Sequence, residues 1–148
     1  AASILENDYG VAADIWSVTS INELQRDGKA AQRWNMLHPG ETPRVPYVTG
    51  LLQGETGPCV AATDYVKAYP NQIRACIPHG HYSVLGTDGF GRSDSRKQLR
   101  KYFEVDRYYI TVAALKGLAD IGELPASKVT EAIKKYNLDS DKPNPVTV

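Results

Sequence analysis

The chain has 148 residues, of which 42% are hydrophobic and 23% charged, the balance of one ordinary globular unit and not of a disordered or fibrous segment. Seventeen Lys and Arg residues against seventeen Asp and Glu leave no formal net charge, so no overall field favours nucleic acid or an anionic membrane as a partner. The longest apolar runs fall far short of the roughly 20 residues that span a bilayer, and no charged segment followed by an apolar stretch opens the chain.

Ala1 to Tyr9 reads as a helix already under way: no capping residue precedes it, Ala1, Ile4 and Leu5 supply an apolar face, and Gly10 stops it. Such a start predicts further polypeptide upstream. Val11 to Val18 has the length and the β-branched and aromatic content of a strand in a largely buried sheet. Ser20 and Glu23 match the capping pattern S-x-x-E, which predicts a helix from about Ile21 with Leu24 on its core side. Gly28 is expected to end or break that helix. A second helical pattern from Ala30 to Leu37 places Ala30, Trp34 and Leu37 on one face, and His38-Pro39-Gly40 closes it. Pro43 and Pro46 mark a loop, after which Tyr47 to Gln53 can form one or two helical turns.

Pro58 to Thr63 is the second strand candidate. Tyr65, Val66, Tyr69, Ile73 and Cys76 then recur at helical intervals across Pro70, a residue tolerated best in a first turn or at a break. Tyr82 to Leu85 is the third strand. Strands and helices thus alternate, which predicts the α/β class: a three-layer arrangement of a mixed, mostly parallel sheet with helices on both faces.

The most distinctive stretch follows that third strand. Gly86-Thr87-Asp88-Gly89-Phe90-Gly91-Arg92-Ser93-Asp94-Ser95-Arg96 combines a strand exit, glycines, carboxylates and guanidiniums. In open α/β sheets such turns lie at the carboxyl edge, where ligands and neighbouring subunits are met. Its glycine spacing, G-x-x-G-x-G, fits neither the dinucleotide fingerprint nor a Walker loop. A helix is expected from Arg96 to Phe103, capped by Ser93 or Asp94. If it reaches back to Arg92, then Arg92, Arg96 and Arg100 form one ridge, and like charges at that spacing repel unless something negative faces them. Three readings stay open: a solvated face, an interface meeting carboxylates of a neighbour, or an anion site. Asp88, Arg92, Ser93, Asp94, Arg96 and Arg100 are the interface candidates.

Asp106 to Ile121 mixes strand-favouring Tyr108 to Val112 with helix-favouring Ala113 to Ala119, and its length together with Asp106 and Gly122 as end signals favours one buried helix. Pro125 opens a last helix with Val129, Ala132, Ile133 and Tyr136 on its apolar face. Residues 1–138 then make up the domain, and 139–148 an extended tail. No residue is assigned a catalytic, cofactor or metal role: no nucleophile has an evident base, and no D-x-N metal motif follows a G-D-G run. His38 reads as a helix C-cap, and His79 and His81 lack a third ligand. Trp16 and Trp34 read as packing residues. Cys59 and Cys76 lack the spacing of a zinc or redox motif, which suits reduced thiols in a cytoplasmic protein.

Three of these stretches carry a resemblance that spans essentially the whole chain. Val11 to Ser20, Arg33 to Pro39 with Glu41 to Tyr47, and Gly86 to Arg96 look like the carboxy-terminal region of the homodimeric bacterial pyruvate dehydrogenase decarboxylase subunits. That family implies thiamine diphosphate and Mg2+ as cofactors, both bound by domains other than this third, transketolase-like one, so no catalytic residue is carried over. It implies as partners the remainder of the same subunit, a second subunit and dihydrolipoyl acetyltransferase, with no nucleic acid and no membrane. It also implies a five-stranded mixed sheet with two strands upstream of Val11, one of them central, so that a chain starting here would not fold alone. The alternative is a catalytically silent interaction or anion-binding module that uses the Gly86–Arg96 turn.

Overall fold

A computed structural model describes all residues, Ala1–Val148. In chain order the elements are α1 (Ala2–Tyr9), α2 (Ile21–Leu37), α3 (Tyr47–Leu52), β1 (Cys59–Ala62), α4 (Ala68–Asn71), a 3₁₀ turn (Arg74–Cys76), β2 (Tyr82–Leu85), α5 (Arg96–Tyr102), α6 (Arg107–Asp120) and α7 (Ala126–Lys135). The α/β class is as expected: β1 and β2 are parallel, with Cys59 opposite Tyr82 and Ala62 opposite Leu85. Thr63 N–H donates to Leu85 O at 3.0 Å and extends the ladder past the end of β1.

Alternation along the strands sends neighbouring side chains to opposite faces. Cys59, Ala61, Tyr82 and Val84 meet Val48 of α3, Ile73, Cys76 and Ile77, with Ile21 and Leu24 of α2 alongside. The Tyr82 hydroxyl donates to Pro70 O at 3.0 Å, and burial pushes its pKa up to about 12. The other face is covered by α6, which lies across both strands. Behind it, Leu115 of α6 packs with Leu5 of α1 and with Val129 and Ala132 of α7. Helices therefore flank the sheet on both sides.

Local signals account for several element ends. Gly10, at φ 65, takes the left-handed conformation that its lack of a Cβ permits, and it donates to Glu6 O at 3.0 Å while Val11 donates to Leu5 O. Asp106 caps α6 by accepting from Tyr108 N–H at 2.8 Å and Tyr109 N–H at 3.1 Å. Ser20 accepts from Glu23 N–H at 3.3 Å. His38 caps α2 as read: its ring stacks on Trp34 at 4.4 Å, and its Nδ1 lies 2.9 Å from Trp34 O. No helix is long and apolar enough to cross a membrane.

Four local expectations are corrected. Val11–Val18 is not a strand: no backbone hydrogen bond joins Ala12 to Thr19, and Ile15 and Trp16 stand 81% and 54% exposed. Strand preference is a preference for a pleated, half-buried surface with a paired neighbour, and no strand of this chain pairs with the segment. Helix α2 does not break at Gly28; a Cβ there would stand 2.5 Å from Cys76 Sγ, so the glycine serves close packing. That contact orients α2, leaving Ala30 and Leu37 exposed while Leu24, Gly28, Ala31 and Trp34 face inward. The pattern from Tyr65 to Cys76 gives α4 and a separate 3₁₀ turn instead of one helix; Pro70 falls in the first turn of α4, where a missing N–H is tolerated, and so delays the start of the helix to Ala68. Finally, α5 is capped by Ser95, which accepts from Gln98 N–H at 3.4 Å, not by Ser93 or Asp94.

Candidate functional site

The carboxyl ends of the two parallel strands lead directly into the segments that form the site: Thr63 to Lys67 after β1 and Gly86 to Ser95 after β2. Gly86 is buried where the two segments cross, and a Cβ on it would stand 2.7 Å from Tyr65 O and 3.0 Å from Lys67 N. Only glycine permits that approach. Thr87 then ties the segments together, donating from N–H to Tyr65 O at 2.9 Å and from its hydroxyl to Asp64 O at 2.7 Å. Asp88 accepts from Lys67 N–H at 2.7 Å. Its carboxylate therefore braces a neighbouring loop.

Beyond Asp88 the turn is held differently. Gly89 has φ 92, and a Cβ there would stand 2.5 Å from Pro145 O, so the last residues of the chain come up against the turn. Phe90 is 80% exposed. Arg92 lies outside α5 and rests its guanidinium 4.7 Å from the centre of the Tyr102 ring. Asp94 accepts from Ser95 N–H at 2.6 Å, and Ser93 and Arg96 are exposed.

Arg100 makes the one charged pair of this edge. It donates from Nε to Asp64 Oδ1 at 3.2 Å and from Nη2 to Asp64 Oδ2 at 2.8 Å, the two-pronged geometry that a planar guanidinium favours. The Arg100 hydrogen bond holds the Asp64 carboxyl below the usual aspartate value, and the nearby Arg96 charge adds to the effect. The expected ridge of Arg92, Arg96 and Arg100 is thus not formed: Arg92 is off the helix, and Arg100 is neutralised within the chain. Sequence reasoning missed Asp64, although an aspartate at a strand exit two residues after Ala62 was a readable signal.

No group of three His, Cys, Asp or Glu side chains is placed to hold a metal ion. The carboxylates nearest the glycine turn are engaged, Asp88 by Lys67 and Asp64 by Arg100. These residues do not fit a diphosphate–Mg2+ site, and no reaction step is assigned to them. The edge offers an aromatic tip in Phe90, with Arg92 resting on Tyr102 and Arg96 exposed beside it.

A family model for the transketolase-like C-terminal domain matches residues 1–106. The chain belongs to this family. It is 56% identical over 146 residues to the pyruvate dehydrogenase E1 component of Pseudomonas aeruginosa, covering 99% of the chain and 17% of that protein. It is 56% identical over 145 residues to the E1 component of Escherichia coli K12 and 57% over 146 residues to that of Haemophilus influenzae, covering 16% of each and 98% and 99% of this chain. The match lies in the carboxy-terminal region of these proteins. The chain therefore spans about a sixth of the length of the curated relatives that it matches.

Proposed function

We propose that this transketolase-like domain serves a thiamine diphosphate-dependent pyruvate dehydrogenase, in which the full subunit decarboxylates pyruvate and passes the acetyl group to the lipoyl group of dihydrolipoyl acetyltransferase. The observation that carries the reading is identity above one half across nearly all of the chain, in relatives named for that enzyme component. Thiamine diphosphate and Mg2+ are bound by parts of the subunit outside residues 1–148. The domain's own task is architectural: it presents Phe90, Arg92 and Arg96 to a neighbouring domain, to the second subunit of a homodimer, or to the acetyltransferase. The two free thiols, Cys59 and Cys76, suit a reducing cytoplasmic setting.

The unpaired segment Val11 to Thr19 supports the same reading. Its exposed Ile15, Trp16 and Val18 and the unbonded backbone of residues 12–19 suit a strand whose partner is supplied by the remainder of the subunit. The full-length polypeptide, given thiamine diphosphate, Mg2+ and pyruvate, is expected to release CO2 and to acetylate a lipoyl acceptor. Residues 1–148 alone are expected to do neither. A full-length polypeptide without decarboxylase activity, whose melting temperature rises with inorganic phosphate, would replace this reading with the anion-binding module.

A further inference from the structure

The segment Lys142–Val148 makes contacts that a solvated tail does not need. Pro145 is buried against the glycine turn, with Val146 Cα 3.2 Å from where a Gly89 Cβ would stand. Lys142 donates to Tyr102 O and, at 3.3 Å, to Glu104 Oε1, and its side chain is only 21% exposed. The Tyr102 ring carries the Lys142 ammonium 5.0 Å from its centre as well as the Arg92 guanidinium, and its hydroxyl lies 3.3 Å from Val148 O. The segment also has a shape of its own: Asn144 Oδ1 accepts from Val146 N–H at 3.1 Å, and Asn144 O accepts from Thr147 N–H at 2.9 Å.

The turn needs such a support. Between Thr87 and Ser95 no residue makes a backbone-to-backbone hydrogen bond. On the strand side the turn is tied through Thr87 and Asp88 to Tyr65 and Lys67. On its far side only the packing of Gly89 on Pro145 and the shared Tyr102 ring hold it. Loops with few internal bonds open at low free-energy cost unless packing restrains them.

We infer that Lys142–Val148 is a strap that sets the conformation of the turn from Gly89 to Arg92, and so controls how Phe90 and Arg92 are presented. The strap and the turn stabilise each other. Lys142 pins the strap to the end of α5, Pro145 closes on Gly89, and Tyr102 joins Arg92 to both. Because Gly89 combines positive φ with the absence of a Cβ, any larger residue there must displace the strap.

Trypsin digestion of the full-length polypeptide tests this, with cleavage after Arg92 as the readout and cleavage after Lys29, within α2, as the internal reference. Two strap variants are compared with the parent: a stop codon in place of Pro145, and Lys142→Met, which keeps the chain length. Cleavage of a transiently opened segment tracks its open population, so cleavage after Arg92 is expected to quicken roughly tenfold in both, with Lys29 unchanged. Gly89→Ala is expected to act in reverse and, in a parallel digestion with proteinase K, to quicken cleavage within residues 143–148 by a similar factor, since Pro143 makes the bond after Lys142 resistant to trypsin. Rates after Arg92 that stay at the parent's value in Lys142→Met would overturn the proposal, and so would a uniform rise at both sites. If the truncated polypeptide does not fold, the Lys142→Met and Gly89→Ala results decide.

Discussion

Gly28 illustrates how one residue answers to two opposing requirements. In a helix interior glycine costs about 1 kcal/mol relative to alanine, yet a Cβ at this position would stand 2.5 Å from Cys76 Sγ. Overpacking a filled core costs about 1–3 kcal/mol, so the clash outweighs the gain in helix propensity. Gly28→Ala is expected to destabilise by about 1 kcal/mol, and adding Cys76→Ala is expected to restore part of the loss. Urea unfolding of the four members of that cycle is the measurement; additive effects would show that the two residues do not share space. The Asp64–Arg100 pair is smaller in consequence, because its side chains are 63% and 43% exposed. Its coupling is expected at about 0.2–1 kcal/mol in a double-mutant cycle. Since the folded state lowers the Asp64 pKa below 3.8, this contribution is present above that pH and fades as pH falls through the lowered value. Repeating the cycle at pH 7 and at successively lower pH should show the coupling only in the upper range.

At the scale of elements, the ends were easier to read than the continuity. Asp106 caps α6 through two N–H groups, and its loss in Asp106→Ala is expected to cost about 1 kcal/mol, visible as a lower denaturant midpoint with an unchanged slope. The run from Tyr108 to Val112 would favour a strand on propensity alone, but the cap and the burial of Thr111 and Leu115 make it helical. Thr111 turns its hydroxyl back to Arg107 O at 2.8 Å, which satisfies a polar group that the core would otherwise strand. Gly28 misled in the opposite direction, because a glycine that breaks a helix and a glycine that lets a neighbour approach look the same in one dimension. The cap of α5 is Ser95, one residue beyond Asp94, and the helix does not reach back to Arg92, so no ridge of Arg92, Arg96 and Arg100 forms.

Across the whole molecule, the segment Val11 to Thr19 and the glycine turn are the two surfaces that the proposed function assigns to neighbouring parts of the enzyme. Burying Ile15, Trp16 and Val18 is worth about 1.5–3 kcal/mol for a fully covered aliphatic side chain, so leaving them bare is costly. The part of the tryptophan emission that is lost in Trp16→Phe is expected to be blue-shifted and shielded from acrylamide in the full-length polypeptide, and red-shifted and quenched in residues 1–148 alone. Equal quenching in both would remove the case for a partner strand from the same subunit. Arg92→Ala in the full-length polypeptide is expected to weaken dimerisation or acetyl transfer while leaving thiamine diphosphate affinity unchanged. Sedimentation and a cofactor titration read the two effects separately, and a loss confined to cofactor affinity would contradict the architectural role.

The residues by themselves determined the α/β class, the helix ends at Gly10, Ser20, His38, Asp106 and Gly122, and the kinship carried by Val11 to Ser20 and Gly86 to Arg96. Those features depend on groups within one or two turns of each other, so their physics is written locally. Tertiary structure alone decided the continuity of α2 through Gly28, the pairing of Asp64 with Arg100, the grip of Lys142 and Pro145 on the glycine turn, and the unpaired state of Val11 to Val18. Each of these depends on a segment distant in sequence or on the lack of one alongside. A residue pattern specifies what a segment can do; the neighbours that the fold brings to it determine which of those it does.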